Sequence, residues 1–166
     1  MSAIVTSNGR TMLAKSFMKN GKVHFGLGHD SKCSDQPPKP VATSTIVSLV
    51  GMKRAEKLAY VIPDVNGKIS YRGKTYTEIP EADIFTKQCK HVLITSEIAD
   101  GDFDYGTKYN QISINTDVVT IPGKENSFTL KPSEISKPGI SFVIDFRRTV
   151  IVDTDTASAL TVVLEF

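Results

Sequence analysis

The stretch GISFVIDFRRTVIVDTDTASALTVVLEF, residues 139–166, decides the predicted fold. Its apolar side chains occupy even positions on both sides of a polar break at 153–158, namely Phe142, Ile144, Phe146, Val150 and Val152, then Leu160, Val162, Leu164 and Phe166. Because successive side chains of a strand point to opposite faces, this alternation predicts two strands that each have one apolar face. The break is rich in Asp, Thr and Ser, which hydrogen-bond their own backbone and favour a reversal. We therefore expect a β-ribbon or meander that forms the floor of the core, with Phe166 held in the sheet.

Short β-rich runs separated by turn residues recur along the rest of the chain, about every ten residues. Asn66-Gly67 lies between two such runs, and this dipeptide favours a hairpin because both central residues of a type I′ turn need positive φ. Gly26-Leu27-Gly28 follows a short apolar run and predicts a tight bend where glycine permits unusual φ. The pattern predicts a mostly β (α+β) fold, a β-sandwich or barrel-like set of antiparallel sheets with one N-terminal helix packed on the sheet.

The best helix candidate covers about residues 7–20. Thr6 or Ser7 is a suitable N-cap, and a cation followed by Asn20-Gly21 suits the C-terminus. The apolar residues close to one helical stripe, which we expect to be buried, are Met12, Leu13, Phe17 and Met18. A second, weaker helix candidate covers 45–59, where Gly51 and β-branched residues oppose it.

Length and composition predict one globular, β-rich domain over residues 1–166, with an extended proline loop at 33–40. The net charge of +2 without a Lys/Arg cluster argues against nucleic-acid binding, which needs several convergent cations. No apolar run reaches the roughly 18 residues of a transmembrane helix. The first ten residues lack the basic start and apolar middle of a secretory signal, so we expect a protein that is made and kept in the cytoplasm or is delivered outside as part of something larger.

Two groups of residues have metal-ligand chemistry. Asp100, Asp102 and Asp104 alternate as in a calcium loop, but the Gly and Glu of the EF-hand pattern are replaced by Tyr105 and Gln111. The second group joins thiols and imidazoles that zinc prefers: His24, His29, Cys33, Cys89 and His91. Neither group has specific spacing, so the sequence assigns no metal, and whether either group binds one stays open. Two cysteines also do not make a disulfide framework.

Motifs for catalysis are missing from the sequence. The G-x-G at 26–28 lacks the third glycine and the following helix of a phosphate-binding loop. A nucleophile elbow, an H-E-x-x-H motif and a Walker loop are all absent. We therefore expect a protein that is not an enzyme, with no catalytic, cofactor-binding or metal-binding residues and no cofactor.

The segments TSNGRTMLAK at 6–15 and GKVHFGLG at 21–28 resemble the start of the N-terminal domain of bacteriophage tail-collar and tail-fibre proteins. Such domains typically have a T-x-x-G-x-x-L-[IL]-A-K helix, a short apolar strand and a G-x-G corner. The runs at 92–94, 109–117, 143–148 and 162–166 are similar to later strands of these domains. The chain departs from the pattern after the corner, where Ser31-Lys32-Cys33 and the proline loop replace the usual aromatic and acidic residues.

The resemblance implies a structural protein of the virion tail, assembled in the host cytoplasm. Since no fibre shaft follows the domain, we expect a small baseplate or tail-junction protein that cements neighbouring tail and baseplate proteins in a symmetric, multicopy assembly. The elements expected to reach partners are the loop 33–40, the hairpin at Asn66-Gly67, the acidic loop 100–106 and an exposed edge strand. The alternative is a free-standing small-ligand- or metal-binding β domain, although the lack of Trp argues against sugar stacking.

Overall fold

The computed structural model describes residues 4–31, 46–153 and 157–166. Within these residues the chain forms one α-helix near its N-terminus and antiparallel β-strands, which confirms the predicted mostly-β fold class with an N-terminal helix. The elements are α1 (Ser7–Lys19), β1 (His24–Gly28), β2 (Leu49–Arg54), β3 (Lys57–Pro63), β4 (Ile69–Tyr71), β5 (Lys74–Ile79), β6 (His91–Ile98), β7 (Lys108–Thr116), β8 (Val119–Thr120), β9 (Thr129–Leu130), β10 (Ile135–Lys137), β11 (Ile140–Ile151) and β12 (Ser158–Glu165).

The chain divides into two compact units. The first comprises Met1–Gly21, Glu56–Thr95 and Thr161–Phe166, and the second comprises Lys22–Ala55 and Ser96–Leu160. A single domain over 1–166 stays a prediction, and the predicted proline loop at 33–40 lies outside the described residues.

Helix α1, in the first unit, begins and ends as predicted but buries a different face. The Thr6 side chain accepts a hydrogen bond from the Gly9 amide at 3.1 Å, which caps the first turn. The buried residues are Thr11, Ala14 and Phe17, and Met18 is half-buried, so the predicted apolar stripe was wrong at the exposed Met12 and Leu13. Thr11 can be buried because its hydroxyl donates to the Ser7 carbonyl at 3.1 Å.

A five-stranded sheet, most of which lies in the first unit, has the order β12-β6-β3-β5-β4. One of its faces carries a cluster of four buried side chains: Ala59, Val61, Tyr76 and Leu93. Ile69, Tyr71 and Val163 are partly buried and pack against this cluster. Strands β2 and β3 occupy most of the region 45–59, so the second helix candidate was wrong. Gly51 lies inside β2, and a Cβ there would lie 2.6 Å from the Phe103 ring, so glycine permits this close contact.

The hairpin of this sheet lies a few residues beyond the predicted one. Strands β4 and β5 pair through Arg72-Gly73, whose φ angles of 48° and 75° are both positive, as a type I′ turn requires. Asn66 and Gly67 do not have positive φ and do not connect paired strands, because β3 pairs with β5. They belong to a turn that Asp64 stabilises. The Asp64 carboxylate accepts a hydrogen bond from the Asn66 backbone N–H, and the Asp64 carbonyl accepts one from the Gly67 backbone N–H, both at 2.9 Å.

The five-stranded sheet in the second unit has the order β11-β7-β1-β2-β9, and β8 pairs separately with β10. Strand β7 is buried on both faces: Ile112 and Ile114 point to the apolar side, and the other side carries Gln111, Ser113 and Asn115. Gly26 and Gly28 lie opposite Ser113 and Gln111 inside strand β1, so the predicted glycine bend was wrong. A Cβ on Gly28 would come within 2.5 Å of the Ile46 side chain, which indicates that these glycines make space over the sheet.

Residues 139–166 contain two strands, as predicted, but these two strands do not pair with each other as a ribbon. Strand β11 pairs with β7, whereas β12 lies beside β6 in another sheet. The predicted alternation holds in β12, where Leu160, Val162 and Leu164 are buried. It fails in β11, where Phe142 is exposed, because β11 is an edge strand and its register with β7 shifts twice.

Candidate interaction surfaces

The predicted acidic loop is anchored by a buried ion pair. The Lys53 ammonium lies 2.6 Å from the Asp102 carboxylate, and the two side chains are only 6% and 15% exposed. Asp102 also accepts hydrogen bonds from the Ala99 amide at 2.7 Å and from the Thr129 hydroxyl at 2.5 Å. Its carboxylate is therefore engaged by protein donors, and Asp104 lies 3.8 Å from the Lys131 ammonium. Among the residues that the structure describes, no group of three or more His, Cys, Asp or Glu side chains is arranged to hold a metal ion.

The thiol and imidazole residues are distributed over both units. Cys33 lies outside the described residues, and His29 is half-buried. The buried Cys89 thiol donates weakly to the carbonyls of Val61 at 3.3 Å and His91 at 3.4 Å, and burial raises its pKa. The His91 ring lies 3.7 Å from the Glu165 carboxylate; burial lowers the pKa of His91, and Glu165 opposes that shift. This pair belongs to the first unit.

His24 is the buried histidine of the second unit. It lies on β1 opposite Asn115, and its Nδ1 has no hydrogen-bond partner within the described part of the chain. Burial, followed by the charges of Arg54 and Lys22, lowers the pKa of His24 to about 4. The imidazole is therefore neutral at physiological pH.

A groove of about 290 Å³ lies in the second unit, over the polar side of β7. Its apolar lining consists mainly of Ile46, Leu49, Met52 and Ile144. The polar groups at its base already bind one another: the Ser113 hydroxyl donates to the Asn115 side-chain oxygen, and the Asn115 amide donates to the Pro138 carbonyl at 2.9 Å. The groove therefore offers mainly apolar surface to a partner.

Strand β11 forms one rim of this groove through Ser141 and Ile144 and lies at the edge of its sheet. Three large apolar side chains of this strand remain exposed: Ile140 by 60%, Phe142 by 44% and Ile151 by 54%. We call the strand and the groove beside it the β11 surface. By the register with β7, Ile144 lies on the groove face, whereas Ile140 and Ile151 lie on the opposite face near the two ends of the strand. An edge strand that carries apolar side chains is a template for pairing with another chain.

A second apolar patch lies in the first unit, beside α1. Ile4 and Val5 are exposed just before the helix, and Met12 and Leu13 are exposed on it. Lys15, on the same helix, forms a 3.0 Å ion pair with Glu81. Exposed apolar side chains that lie near one another are candidates for contacts with other proteins.

The sequence pattern does not reveal the residues of the β11 surface, because it indicates a buried side of β7 as exposed. Ser113 and Asn115 alternate with isoleucines, a pattern that usually marks a solvent-facing side of a strand. Here that side is covered in part by residues 46–47, since the Gln111 side chain accepts the Val47 amide at 2.7 Å. A usable signal was present in the glycines at 26 and 28, which indicate close approach over the sheet.

The chain is similar to a family model and to a curated protein. A family model described as "Baseplate wedge 3 tail fiber network component" matches residues 2–166. The curated protein "Virion protein 3" of Enterococcus phage phiEF24C is 26% identical over 148 residues, which cover 83% of this chain and 81% of the relative. Within the described residues, α1 is too short and too polar to cross a bilayer, and no other α-helix occurs.

Proposed function

The chain belongs to the baseplate wedge 3 tail fiber network component family, and we propose that it joins neighbouring proteins of the phage tail through repeated protein–protein interfaces. The structural role in the tail follows from that membership, and the similarity to a virion protein agrees with it. The proposal adds the manner of action: the protein connects its neighbours by geometry, as a small baseplate or junction component, and performs no reaction.

The observation that carries this proposal is the exposed apolar surface of strand β11 and of the groove beside it. Ile140, Phe142 and Ile151 are exposed along this edge strand, which also forms one rim of the apolar groove through Ile144. Exposing such a surface to water is unfavourable, and burying it against a partner stabilises an assembly by roughly 25 cal/mol per Å² of apolar area. The patch beside α1 supplies a second contact area, as a connecting protein needs.

Symmetry is the second part of the proposal. Tails are built from repeated subunits, and closed rotational symmetry presents each surface of a subunit in the same way in every copy. We infer that the protein is present in several copies, that its partners are other tail and baseplate proteins, and that it is incorporated during tail assembly in the host cytoplasm.

The alternative role as a small-ligand-binding domain receives less support. Ligand pockets usually enclose about 300–1,000 Å³ and present polar groups that orient the ligand. The groove, at about 290 Å³, is at the lower limit. Its Ser113 and Asn115 side chains already have hydrogen-bond partners within the protein.

Quantitative mass spectrometry of purified virions tests the proposed function. We expect the chain at a copy number that matches the rotational symmetry of the tail, and we expect virions made without it to have incomplete tails. Virions that lack the chain, or tails that assemble normally without it, would contradict the proposal.

A further inference from the structure

We propose that the β11 surface binds an extended segment of another tail protein, which adds to the sheet as a further strand, places an apolar side chain in the groove and carries acidic residues. This inference rests on the proposed function and specifies one of its interfaces. Three features of the second unit support it: the open backbone edge, the position of the groove, and the charges around the strand.

The backbone edge is open over a short window. Within the described residues β11 pairs only with β7, so no described strand pairs with the backbone groups on its other side. The register with β7 is regular over Val143–Phe146 and shifts on both sides, between Ser141 and Val143 and between Phe146 and Val150. Such irregularities protect an edge against indiscriminate pairing. They leave room for a short added strand of about four residues, which suits a specific peptide segment.

The groove lies next to this window. Ile144 belongs to the regular segment and also lines the groove, and Ser141 lines it from just before the first register shift. A strand that pairs along Val143–Phe146 therefore carries its side chains past the groove. Since alternate side chains of a strand share a face, one apolar residue of the added strand enters the groove while its neighbours point away.

The charges favour an acidic partner. Asp145 is already engaged by the Arg147 guanidinium at 2.8 Å. Arg148, on β11, and Lys108, on β7 opposite Ile151, are exposed, and no carboxylate of the described residues lies within ion-pair distance of either. A partner with carboxylates a few residues beyond its apolar anchor complements this end of the strand.

A second copy of the same strand fits less well. Antiparallel pairing of two copies over Val143–Phe146 sets Val143 of each against Phe146 of the other. Asp145 of each copy then lies opposite Ile144 of the other, so that a carboxylate faces an apolar side chain. The occupant that the surface favours is therefore a different chain.

Photo-crosslinking in assembled virions identifies the occupant. A photoreactive phenylalanine analogue replaces Phe142, and the crosslinked peptide is sequenced from purified particles. We expect a segment of another virion protein that contains an apolar residue with acidic residues nearby. Crosslinks to a second copy, to nucleic acid or to a peptide without acidic residues, or no crosslink from an incorporated protein, would overturn the inference. If the unmodified protein is not in the virion at all, the proposed function fails instead.

Two pairs of variants test the groove and the charge. Ser141→Trp fills the groove from an exposed position, and Ser136→Trp makes the same change on exposed β10 outside it. We expect only Ser141→Trp to lower incorporation into virions, by at least about tenfold, with a thermal unfolding temperature like that of Ser136→Trp.

Arg148→Glu should lower the crosslink yield, whereas Lys68→Glu, an exposed charge reversal in the first unit, should not. Normal incorporation of Ser141→Trp, or an unchanged crosslink yield with Arg148→Glu, would refute the binding mode.

Discussion

At the scale of single residues, the buried Lys53–Asp102 pair has the largest predicted effect on stability. Asp102→Ala leaves the Lys53 ammonium buried and uncompensated, and it removes the acceptor of the Thr129 hydroxyl. Breaking a buried pair in this way typically costs about 3–5 kcal/mol. We expect a loss of that size in the free energy of unfolding, measured by urea denaturation.

The first unit supplies the matched control. Lys57 and Glu78 form an ion pair at 2.5 Å, but their side chains are 53% and 47% exposed. Such surface pairs contribute about 0–1 kcal/mol, so Glu78→Ala should have little effect. Similar losses for Asp102→Ala and Glu78→Ala would show that burial does not decide the strength of these pairs.

The buried His24 should make the free energy of unfolding depend on pH. Its pKa falls from the ordinary 6.5 to about 4 in the folded protein, chiefly through burial. The folded state therefore stays neutral while the unfolded state gains a proton, so stability is full above pH 6.5 and falls as the pH is lowered toward 4. The shift corresponds to a loss of about 3 kcal/mol across this range.

Replacing His24 by Gln removes this titration and keeps a polar side chain. We expect the free energy of unfolding of His24→Gln to fall less steeply between pH 7 and 4 than that of the wild type. A residual slope remains, because burial also lowers the pKa of His91. An equally steep slope in the variant would contradict the assignment to His24.

At the scale of elements, replacing either of two glycines near the β4–β5 hairpin by alanine should lower the free energy of unfolding, for different physical reasons. Gly73 has φ +75° with open space around it, so Gly73→Ala costs about 1–2 kcal/mol through backbone strain alone. A Cβ on Gly67 would lie 2.4 Å from the Tyr76 backbone, so Gly67→Ala must displace a strand and should cost more. Thermal unfolding measures both, with Ser70→Ala on exposed β4 as control. A Gly67→Ala variant as stable as the control would contradict the steric argument.

The same elements show what the sequence can predict. Alternation predicted β12 correctly because its even residues are buried in one sheet face. The same alternation in β11 was misleading, since an edge strand with two register shifts leaves Phe142 exposed. Helix α1 was predicted from its caps, but its buried face depends on Thr11, whose polarity is hidden by an intrahelical hydrogen bond. Local chemistry thus predicts that an element exists, whereas tertiary packing selects the face that it buries.

The β11 surface was predictable only in outline. An exposed edge strand was expected, but its identity depends on long-range pairing between β11 and β7, which no local pattern contains. The groove depends on residues 46–47 lying over a glycine-containing strand, a contact between distant parts of the chain. The residues that form such a surface become apparent only once the sheet order is known.

At the scale of the whole molecule, we expect the segment 33–40 to be needed for incorporation into virions. It contains three prolines within a chain that the family model matches from residue 2 to residue 166. Proline-rich segments lose little conformational entropy on binding, so they suit contacts with partners. Removing residues 33–40 should leave a folded monomer that fails to enter virions, as measured by circular dichroism, size-exclusion chromatography and mass spectrometry of particles. Replacement by a Gly/Ser segment of equal length separates sequence from length: if the prolines carry the contact, this variant also fails, and if it is incorporated normally, the segment acts only as a spacer.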